Sequence, residues 1–393
     1  MVRRWLCAAA LCVSCGSESP PPSGADGGSE DASMSQDAPG GDVAAQDAPM
    51  GDVGDAPTTP DLSGGDGAGG ADSAADATMA DATTADAITA DVSAPDTGEV
   101  AVDIAETPIP DECWDDLAVG EGQVFHEAFD GGVEGIAFGP GSALYVSQQK
   151  TGQIWRIQAD GTAEPFAIIP RALGLAPAPD GGLLVADLGE STKVDVLDGA
   201  LWHVDPAGVV TKVSDPMASP NFVVSTPDGA TLVSDDFDTR VFLVAPGGAV
   251  TVALDDIGSP NGLGYSPDGA ALYVASTFTA DGEVTRVPVG ADGLPSGAPR
   301  QVIATLGGTA LPDGLAVDEH DRVYVAANFA GQIVRVRGDG LGGPTVLNGD
   351  VKNPASLAFG AADGFDPCSL YVTELFQGRL WRVAVGARGV PLP

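Results

Sequence analysis

Basic side chains are scarce in this chain of 393 residues, which has 17 Lys and Arg against 56 Asp and Glu and a formal net charge of −39 at pH 7. A nucleic-acid-binding protein needs a basic surface that neutralises phosphates, so we expect no nucleic-acid partner. Histidine is also rare, with three residues. The sequence has no Gly-rich phosphate loop, no Ser nucleophile elbow and no zinc motif, which argues against the enzyme classes that these motifs mark.

The N-terminus has no long hydrophobic run: its apolar segment covers residues 5–13, whereas a membrane span needs about 20 residues. Two arginines precede it and small residues follow, as in a secretory signal. Residues 13–16, Val-Ser-Cys-Gly, resemble a bacterial lipobox, although Cys12 stands where that motif prefers Leu. We expect residues 1–15 to be a lipoprotein-type signal, with a lipid on Cys15 as the only membrane anchor, at the periplasmic face or the cell surface. The alternative is an ordinary cleaved signal and a secreted product.

Large apolar side chains are nearly absent from residues 16–112, which contain 22 acidic residues and no Lys or Arg. Such a segment cannot bury enough apolar surface to offset the entropy of ordering, so we predict a disordered acidic tether. Aspartate recurs there every five residues, at Asp76, Asp81, Asp86, Asp91 and Asp96. This period fits neither helix nor strand, and it favours a solvated, self-repelling spacer over loose cation binding.

Residues 113–393 repeat one phrase six times: an apolar strand, a Pro-Asp-Gly-like turn and a second apolar strand. Examples are PNGLGYSPDGAALYVA from Pro260 and PDGLAVDEHDRVYVAA from Pro312. Each copy is followed by a third strand and usually by a fourth. A period of about 40–50 residues built of short strands is typical of radial arrays. The sequence therefore predicts an all-β fold, a six-bladed β-propeller of four-stranded blades.

The ends of the repeat region are complementary. Residues 123–129, QVFHEAF, precede the first copy, while the last copy lacks a fourth strand. We expect this N-terminal strand to complete the sixth blade, which removes an open sheet edge. Cys113 lies just ahead of this strand and Cys368 lies inside the sixth copy. In an oxidising compartment a disulfide between them would close the ring and contribute roughly 4–5 kcal/mol in the chain-entropy model; two unpaired thiols are the alternative.

One position in the repeat is a candidate functional site. The residues just before the first strand of each copy are Glu134, Leu173, Asn221, Asn261, Asp313 and Ala355. The first strand of a propeller blade lines the central channel, so these side chains should form one ring. Four of them carry side-chain oxygens, which suit a hard divalent cation, Ca²⁺ ahead of Mg²⁺ or Mn²⁺. Zn²⁺ is the last candidate, because none of the three histidines lies at this position.

Turn chemistry is the alternative for two ring positions, because Asn261-Gly262 and Asp313-Gly314 are also ordinary turn pairs. Glu134 has no turn preference and favours the metal site. A second set of polar residues follows the second strand of the copies, where capping of the next turn is favoured over ligand contact: Gln148, Gln149, Asp187, Asp235, Asp236, Thr277, Asn328 and Glu374.

The phrases VEGIAF, SPNGLGYSPDGAALYVA and LPDGLAVDEHDRVYVA resemble the SMP-30/gluconolactonase/LRE-like family of six-bladed propellers, over most of residues 113–383. The resemblance implies a divalent metal held by Glu134, Asn261 and Asp313, with Asn221 contacting the substrate. It also implies hydrolysis of a small-molecule lactone or ester, in which the cation polarises the carbonyl and Asp313 acts as general base on a water.

The chain departs from the sugar-lactone enzymes of this family, which carry Arg where it has Ser219. Gluconolactone is therefore a doubtful substrate, and the apolar Leu173 and Ala355 suit a less polar molecule. The alternative is a non-catalytic, surface-tethered propeller that binds a protein or a glycan and holds a structural metal. A seven-bladed lyase propeller is disfavoured because the copies number six. We expect a monomer.

Overall fold

The structure is a computed structural model that describes residues 109–391. The predicted signal, Cys15 and almost all of the predicted tether lie outside the described residues. Within residues 109–391 the chain forms 24 strands in six antiparallel sheets of four, so the six-bladed propeller is confirmed. No helix in this part of the chain is long and apolar enough to cross a membrane.

Strand β1 spans Gly122–His126, and the next three blades follow it in chain order. Blade 1 contains β2 (Ile136–Gly139), β3 (Ala143–Gln148), β4 (Gln153–Ile157) and β5 (Ala163–Ile168). Blade 2 contains β6 (Ala172–Pro177), β7 (Leu183–Asp187), β8 (Gly199–Val204) and β9 (Val210–Met217). Blade 3 contains β10 (Pro220–Ser225), β11 (Thr231–Asp235), β12 (Val241–Val244) and β13 (Val250–Leu254).

The remaining strands form the other three blades. Blade 4 contains β14 (Pro260–Tyr265), β15 (Ala271–Ser276), β16 (Glu283–Pro288) and β17 (Gln301–Thr305). Blade 5 contains β18 (Pro312–Val317), β19 (Arg322–Ala327), β20 (Gln332–Arg337) and β21 (Thr345–Asn348). Blade 6 contains β22 (Pro354–Phe359), β23 (Ser369–Glu374) and β24 (Arg379–Ala384), with β1 as its fourth strand.

The ring closes through β1, as the sequence predicts. β1 pairs antiparallel with β24, with Gly122 opposite Val383. A disulfide joins Cys113 to Cys368, whose Cα atoms are 5.2 Å apart across 255 positions of sequence. The N-terminal end of the described chain is thus fixed to blade 6 by hydrogen bonds and by a covalent bond.

The core lies between neighbouring blades. Strand β3 is buried along its whole length. Its successive side chains face opposite sides of the sheet, and each side packs against a neighbouring blade. Leu144 packs in the cluster between blades 6 and 1, and Tyr145 packs in the cluster between blades 1 and 2. Burial on both faces explains why the second strand of each copy reads as a continuous apolar run.

The innermost strands β2, β6, β10, β14, β18 and β22 contact one another in a closed ring around the channel. Their backbones approach so closely that a Cβ atom on Gly262 would lie 2.6 Å from the carbonyl oxygen of Asp313. Asn261-Gly262 and Asp313-Gly314 lie inside β14 and β18, so neither pair forms a turn. The glycines are needed for the close contact between blades.

Candidate active site at one end of the channel

A cavity of about 470 Å³ opens at the end of the channel where the innermost strands begin. Its wall includes all four candidate residues of the sequence analysis, Glu134, Asn221, Asn261 and Asp313, together with Leu173 from the same ring. The shared offset in the repeat places these residues at one height along the channel, since each lies at the start of an innermost strand or just before it.

The innermost strands fix the positions of the ring residues. Asn221, Asn261 and Asp313 are each the second residue of a strand, and they are 6%, 2% and 8% exposed. Glu134 precedes β2, and its backbone N–H donates to the carbonyl oxygen of Ser147 at 2.9 Å. Only a small part of the side chains of Asn221, Asn261 and Asp313 is therefore exposed to the cavity, whereas Glu134 is partly exposed.

Burial and mutual repulsion raise the pKa values of the carboxyl groups in this wall. Burial is the larger cause that raises the pKa of Glu134 to about 8, and the charge of Asp236 is the smaller one. Burial, and then the charges of Glu134 and Asp236, raises the pKa of Asp313 well above its usual value. The side-chain groups that oppose this rise at Asp313 are amide donors, from Asn261 and Asn328. The wall thus contains a cluster of carboxyl groups that are poorly solvated and repel one another when they ionise.

An unsatisfied oxygen adjoins these acids. The Oδ1 atom of Asn261 is buried and has no hydrogen-bond partner among the described residues, a costly state for an amide oxygen. Two carboxylates and one free amide oxygen form a donor set that fits a hard divalent cation. Within residues 109–391, no group of three His, Cys, Asp or Glu side chains could hold a metal ion. The amide oxygen of Asn261 is therefore a candidate third ligand beside Glu134 and Asp313.

Asp236 belongs to this site, although its position after a second strand predicts a turn-capping role. It lies in the cavity wall and is 7% exposed. Burial raises its pKa to about 7, while hydrogen bonds from Ser259, Asn221 and Thr277 oppose the rise. The doublet Asp235-Asp236 at the end of β11 is the signal that could have identified it. Neighbouring side chains along an extended chain point to opposite sides, so the two aspartates cannot both have the same role at the turn.

The other polar residues after the second strands divide into two groups. Gln148, Asp187 and Glu374 accept the indole N–H groups of the third-strand tryptophans at 3.4, 3.0 and 2.9 Å. Asp235 forms an ion pair with Arg240 at 3.0 Å. These four side chains connect the end of the second strand to residues beyond the turn, which agrees with the predicted role at the turn. Gln149, Thr277 and Asn328 instead line the cavity.

Asn328 also orients a ring carboxylate. Its Nδ2 donates to Oδ2 of Asp313 at 3.2 Å and to the carbonyl oxygen of Pro354 at 3.1 Å. Two fixed acceptors hold this amide in place, and the amide in turn fixes one oxygen of Asp313.

Four phenylalanines form part of the mouth of the cavity, and they are not among the site residues predicted from the sequence. They are Phe237, Phe278, Phe329 and Phe376, and we call them the aromatic rim. Each stands two residues after the second strand of its blade, in blades 3 to 6. The rings of Phe237 and Phe278 stack, with centroids 5.4 Å apart and planes 21° apart. The repeated offset is the sequence signal that could have identified them.

The profile of the SMP-30/gluconolactonase/LRE-like region matches residues 119–375. This chain is therefore a six-bladed propeller that belongs to the SMP-30/gluconolactonase/LRE-like family. No curated protein matches the chain closely enough to add to that assignment.

Solved structures share the fold. A calcium-binding regucalcin from Agrobacterium tumefaciens has 23% identity and a TM-score of 0.58, with 70% of this chain and 96% of that chain covered. A gluconolactonase from Xanthomonas campestris has 19% identity and a TM-score of 0.56, with 67% and 89% covered. A PQQ-bound aldose sugar dehydrogenase from Streptomyces coelicolor has 16% identity and a TM-score of 0.51, with 68% and 99% covered. The fold thus serves proteins of different activities, so function must be argued from the site.

Proposed function

We propose that this protein is a metal-dependent hydrolase of lactones or esters, with its active site in the cavity at the start of the innermost strands. The main support is the unsatisfied Oδ1 of Asn261 beside two carboxylates of raised pKa. Family membership supports the same reaction class, and one structural neighbour is described as a gluconolactonase.

The ligands of the cation would be Glu134, Asn261 and Asp313, with Ca²⁺ as the first candidate. When bound, the cation would balance the negative charge of the wall and polarise the substrate carbonyl. Asp313 is the proposed general base, because a carboxylate at the edge of the cation site would be placed to accept a proton from a water. The bond from Asn328 to its Oδ2 fixes its orientation.

Asn221 is the proposed substrate-binding side chain. It is 6% exposed, lies in the cavity wall and donates to Asp236. A side-chain amide that donates through its nitrogen to a fixed carboxylate leaves its carbonyl oxygen free for a polar substrate group. Asp236 thus acts through Asn221 as a positioning residue.

Gluconolactone is not the substrate we propose. Ser219 stands where the related sugar-lactone enzymes carry Arg, and it is fully buried. A buried serine hydroxyl cannot replace a long cationic side chain that reaches into a cavity.

We further propose that the enzyme works outside the cytoplasm as a monomer tethered through Cys15. The Cys113–Cys368 disulfide supports an oxidising compartment. Labelling with a radioactive fatty acid, with a Cys15→Ser variant as control, tests the anchor: the label should appear on the wild type and be absent from the variant.

Cation dependence is the first test of the activity. The full chain is stripped with a chelator and assayed on a panel of lactones and aryl esters, before and after Ca²⁺ is added back. We expect hydrolysis with Ca²⁺ and none without it. Hydrolysis that continues at the same rate in the chelator would refute the proposed role of the cation.

A further inference from the structure

The aromatic rim exposes apolar surface at the mouth of a site whose ring residues are polar. Phe329 is 51% exposed and Phe376 is 40% exposed, and Phe237 and Phe278 are half-buried. Single exposed apolar residues are normal on a protein surface, whereas a group of them around a cavity marks a place where an apolar partner or ligand binds.

Aliphatic side chains continue this surface into the cavity. Leucines line the same wall, namely Leu173, Leu188, Leu311 and Leu375. The carboxyl and amide groups of the ring lie among them. The cavity therefore combines apolar walls with a few convergent polar groups, the usual composition of a site for a small organic molecule.

The mouth is divided into two unequal arcs. Blades 3 to 6 contribute the aromatic rim, while blades 1 and 2 contribute polar side chains that include Lys150, Arg171 and Glu190. Arg171 and Glu190 are 3.8 Å apart, and the side chain of Glu190 is 82% exposed, so their attraction is weak. The aromatic arc spans four neighbouring blades and the polar arc spans two.

We propose that the substrate is a hydrophobic lactone or ester whose aryl or extended alkyl group lies against the aromatic rim while its carbonyl group reaches the ring of Glu134, Asn261 and Asp313. This inference rests on the proposed hydrolase function and specifies its substrate class. The cavity volume of about 470 Å³ is large enough for such a molecule. Aromatic side chains suit this role because they offer large contact area with little rotamer entropy to lose.

A chain-length series tests the inference. The Ca²⁺-loaded full chain is assayed on γ-butyrolactone, γ-octalactone and γ-dodecalactone, with glucono-δ-lactone as the polar competitor. Each buried methylene should raise kcat/KM by about three- to fourfold, so the long lactones should be preferred by at least about tenfold. A Phe329→Ala/Phe376→Ala double variant, which we call the rim variant, should lose most of this gradient of kcat/KM with chain length.

Leu341→Ala is the matched control, because Leu341 is also exposed, at 65%, in the connection between β20 and β21. That connection lies at the other end of the blade, since antiparallel strands alternate in direction. The control variant should keep the wild-type gradient. A preference for glucono-δ-lactone, or an equal gradient in the rim variant, would overturn the proposal and leave the hydrolase function standing.

A binding experiment separates this proposal from the hydrolase function. Hexanamide and acetamide resemble short acyl esters but resist hydrolysis, and calorimetry measures their binding to the Ca²⁺-loaded full chain. We expect hexanamide to bind at least about tenfold more tightly than acetamide, and the rim variant to lose this difference. If no lactone or ester is hydrolysed but this binding pattern holds, the hydrolase function fails and the apolar site stands. If hexanamide has no advantage over acetamide, the apolar site is refuted.

Discussion

The two ends of the central channel are built from the same six strands and differ sharply in chemistry. At the start of the strands, carboxyl and amide groups line the cavity of about 470 Å³. At the other end, a cavity of about 610 Å³ is lined mainly by apolar residues such as Phe138, Leu263 and Leu315. Arg388 is the one charged side chain among the described residues that line it.

The C-terminal segment lies across this second end. The backbone N–H of Val390 donates to the carbonyl oxygen of Val317 at 3.0 Å, and Gly389 forms an isolated bridge with Asp318. At the apolar end, these backbone groups of the C-terminal segment are thus paired with blade 5. The polar end instead holds acids of raised pKa and an amide oxygen, Oδ1 of Asn261, without a hydrogen-bond partner, and such local departures from the rules of burial are expected at functional sites.

The largest effect should come from removing the carboxylate at the polar end. Asp313→Asn should lower kcat/KM by about 10²–10⁴-fold, because the general base is lost. Steady-state kinetics on the best lactone or ester of the panel measure this. Asp363→Asn, at an exposed site, is the matched control and should retain full activity. Activity of Asp313→Asn within about twofold of the wild type would remove Asp313 from the mechanism.

Close contact between blades can be tested at the polar end. Gly262→Ala places a Cβ atom 2.6 Å from backbone atoms of the next blade, so it should destabilise the fold by about 1–3 kcal/mol and weaken Ca²⁺ binding by displacing Asn261 and Asp313. Gly349→Ala is the control, because nothing lies within 4 Å of its Cβ position. Chemical denaturation gives the stabilities, and equal losses in the two variants would contradict the account.

The polar end should also set the pH dependence of stability. The pKa values of Glu134 and Asp236 in the folded protein are about 8 and about 7, above their ordinary values. The folded state therefore binds more protons than the unfolded state between about pH 4 and 8, and its stability falls as the pH rises through this window. In chelator, Tm should be lower at pH 8 than at pH 5, and Ca²⁺ should restore it.

Glu134→Gln serves as the comparison for this measurement. The amide does not ionise, so the variant should lose part of the fall in Tm between pH 5 and pH 8. An identical fall in variant and wild type would show that Glu134 does not ionise from a raised pKa.

The smallest effect should come from the apolar end. Deleting residues 388–393 removes the ion pair between Arg388 and Glu319, at 2.8 Å, and the backbone bond of Val390. We expect a loss of about 1–2 kcal/mol in the free energy of unfolding and no change in kcat/KM. A loss of activity in the folded variant would mean that the two ends are coupled.

Much of the fold can be predicted from the repeat, because each copy contains its own turn chemistry. Gly229 and Gly269 of the Pro-Asp-Gly turns adopt positive φ, 78° and 65°, which glycine does without strain. The ring of polar residues can be predicted from the sequence for the same reason, since equal offsets in a radial array bring residues to one axis.

Other parts of the site could not be predicted because they depend on distances between blades. Turns at Gly262 and Gly314 were the alternative to the metal site in the sequence, but those residues face the neighbouring backbone. Positive φ occurs two residues before the ring instead, at non-glycine residues such as Ser259 (47°) and Leu311 (48°). Asp236 and the aromatic rim follow the second strands, where the sequence predicts polar turn-capping residues and does not distinguish the phenylalanines.

Calcium binding to the full chain, measured by titration calorimetry on wild type, Asp313→Ala and Asp363→Ala, tests the central claim most directly. The account predicts one tight site in the wild type and in Asp363→Ala, and the loss of that site in Asp313→Ala. A folded wild-type protein that binds no Ca²⁺, or an Asp313→Ala variant that binds it equally well, would contradict the claim that the polar end of the channel holds a cation.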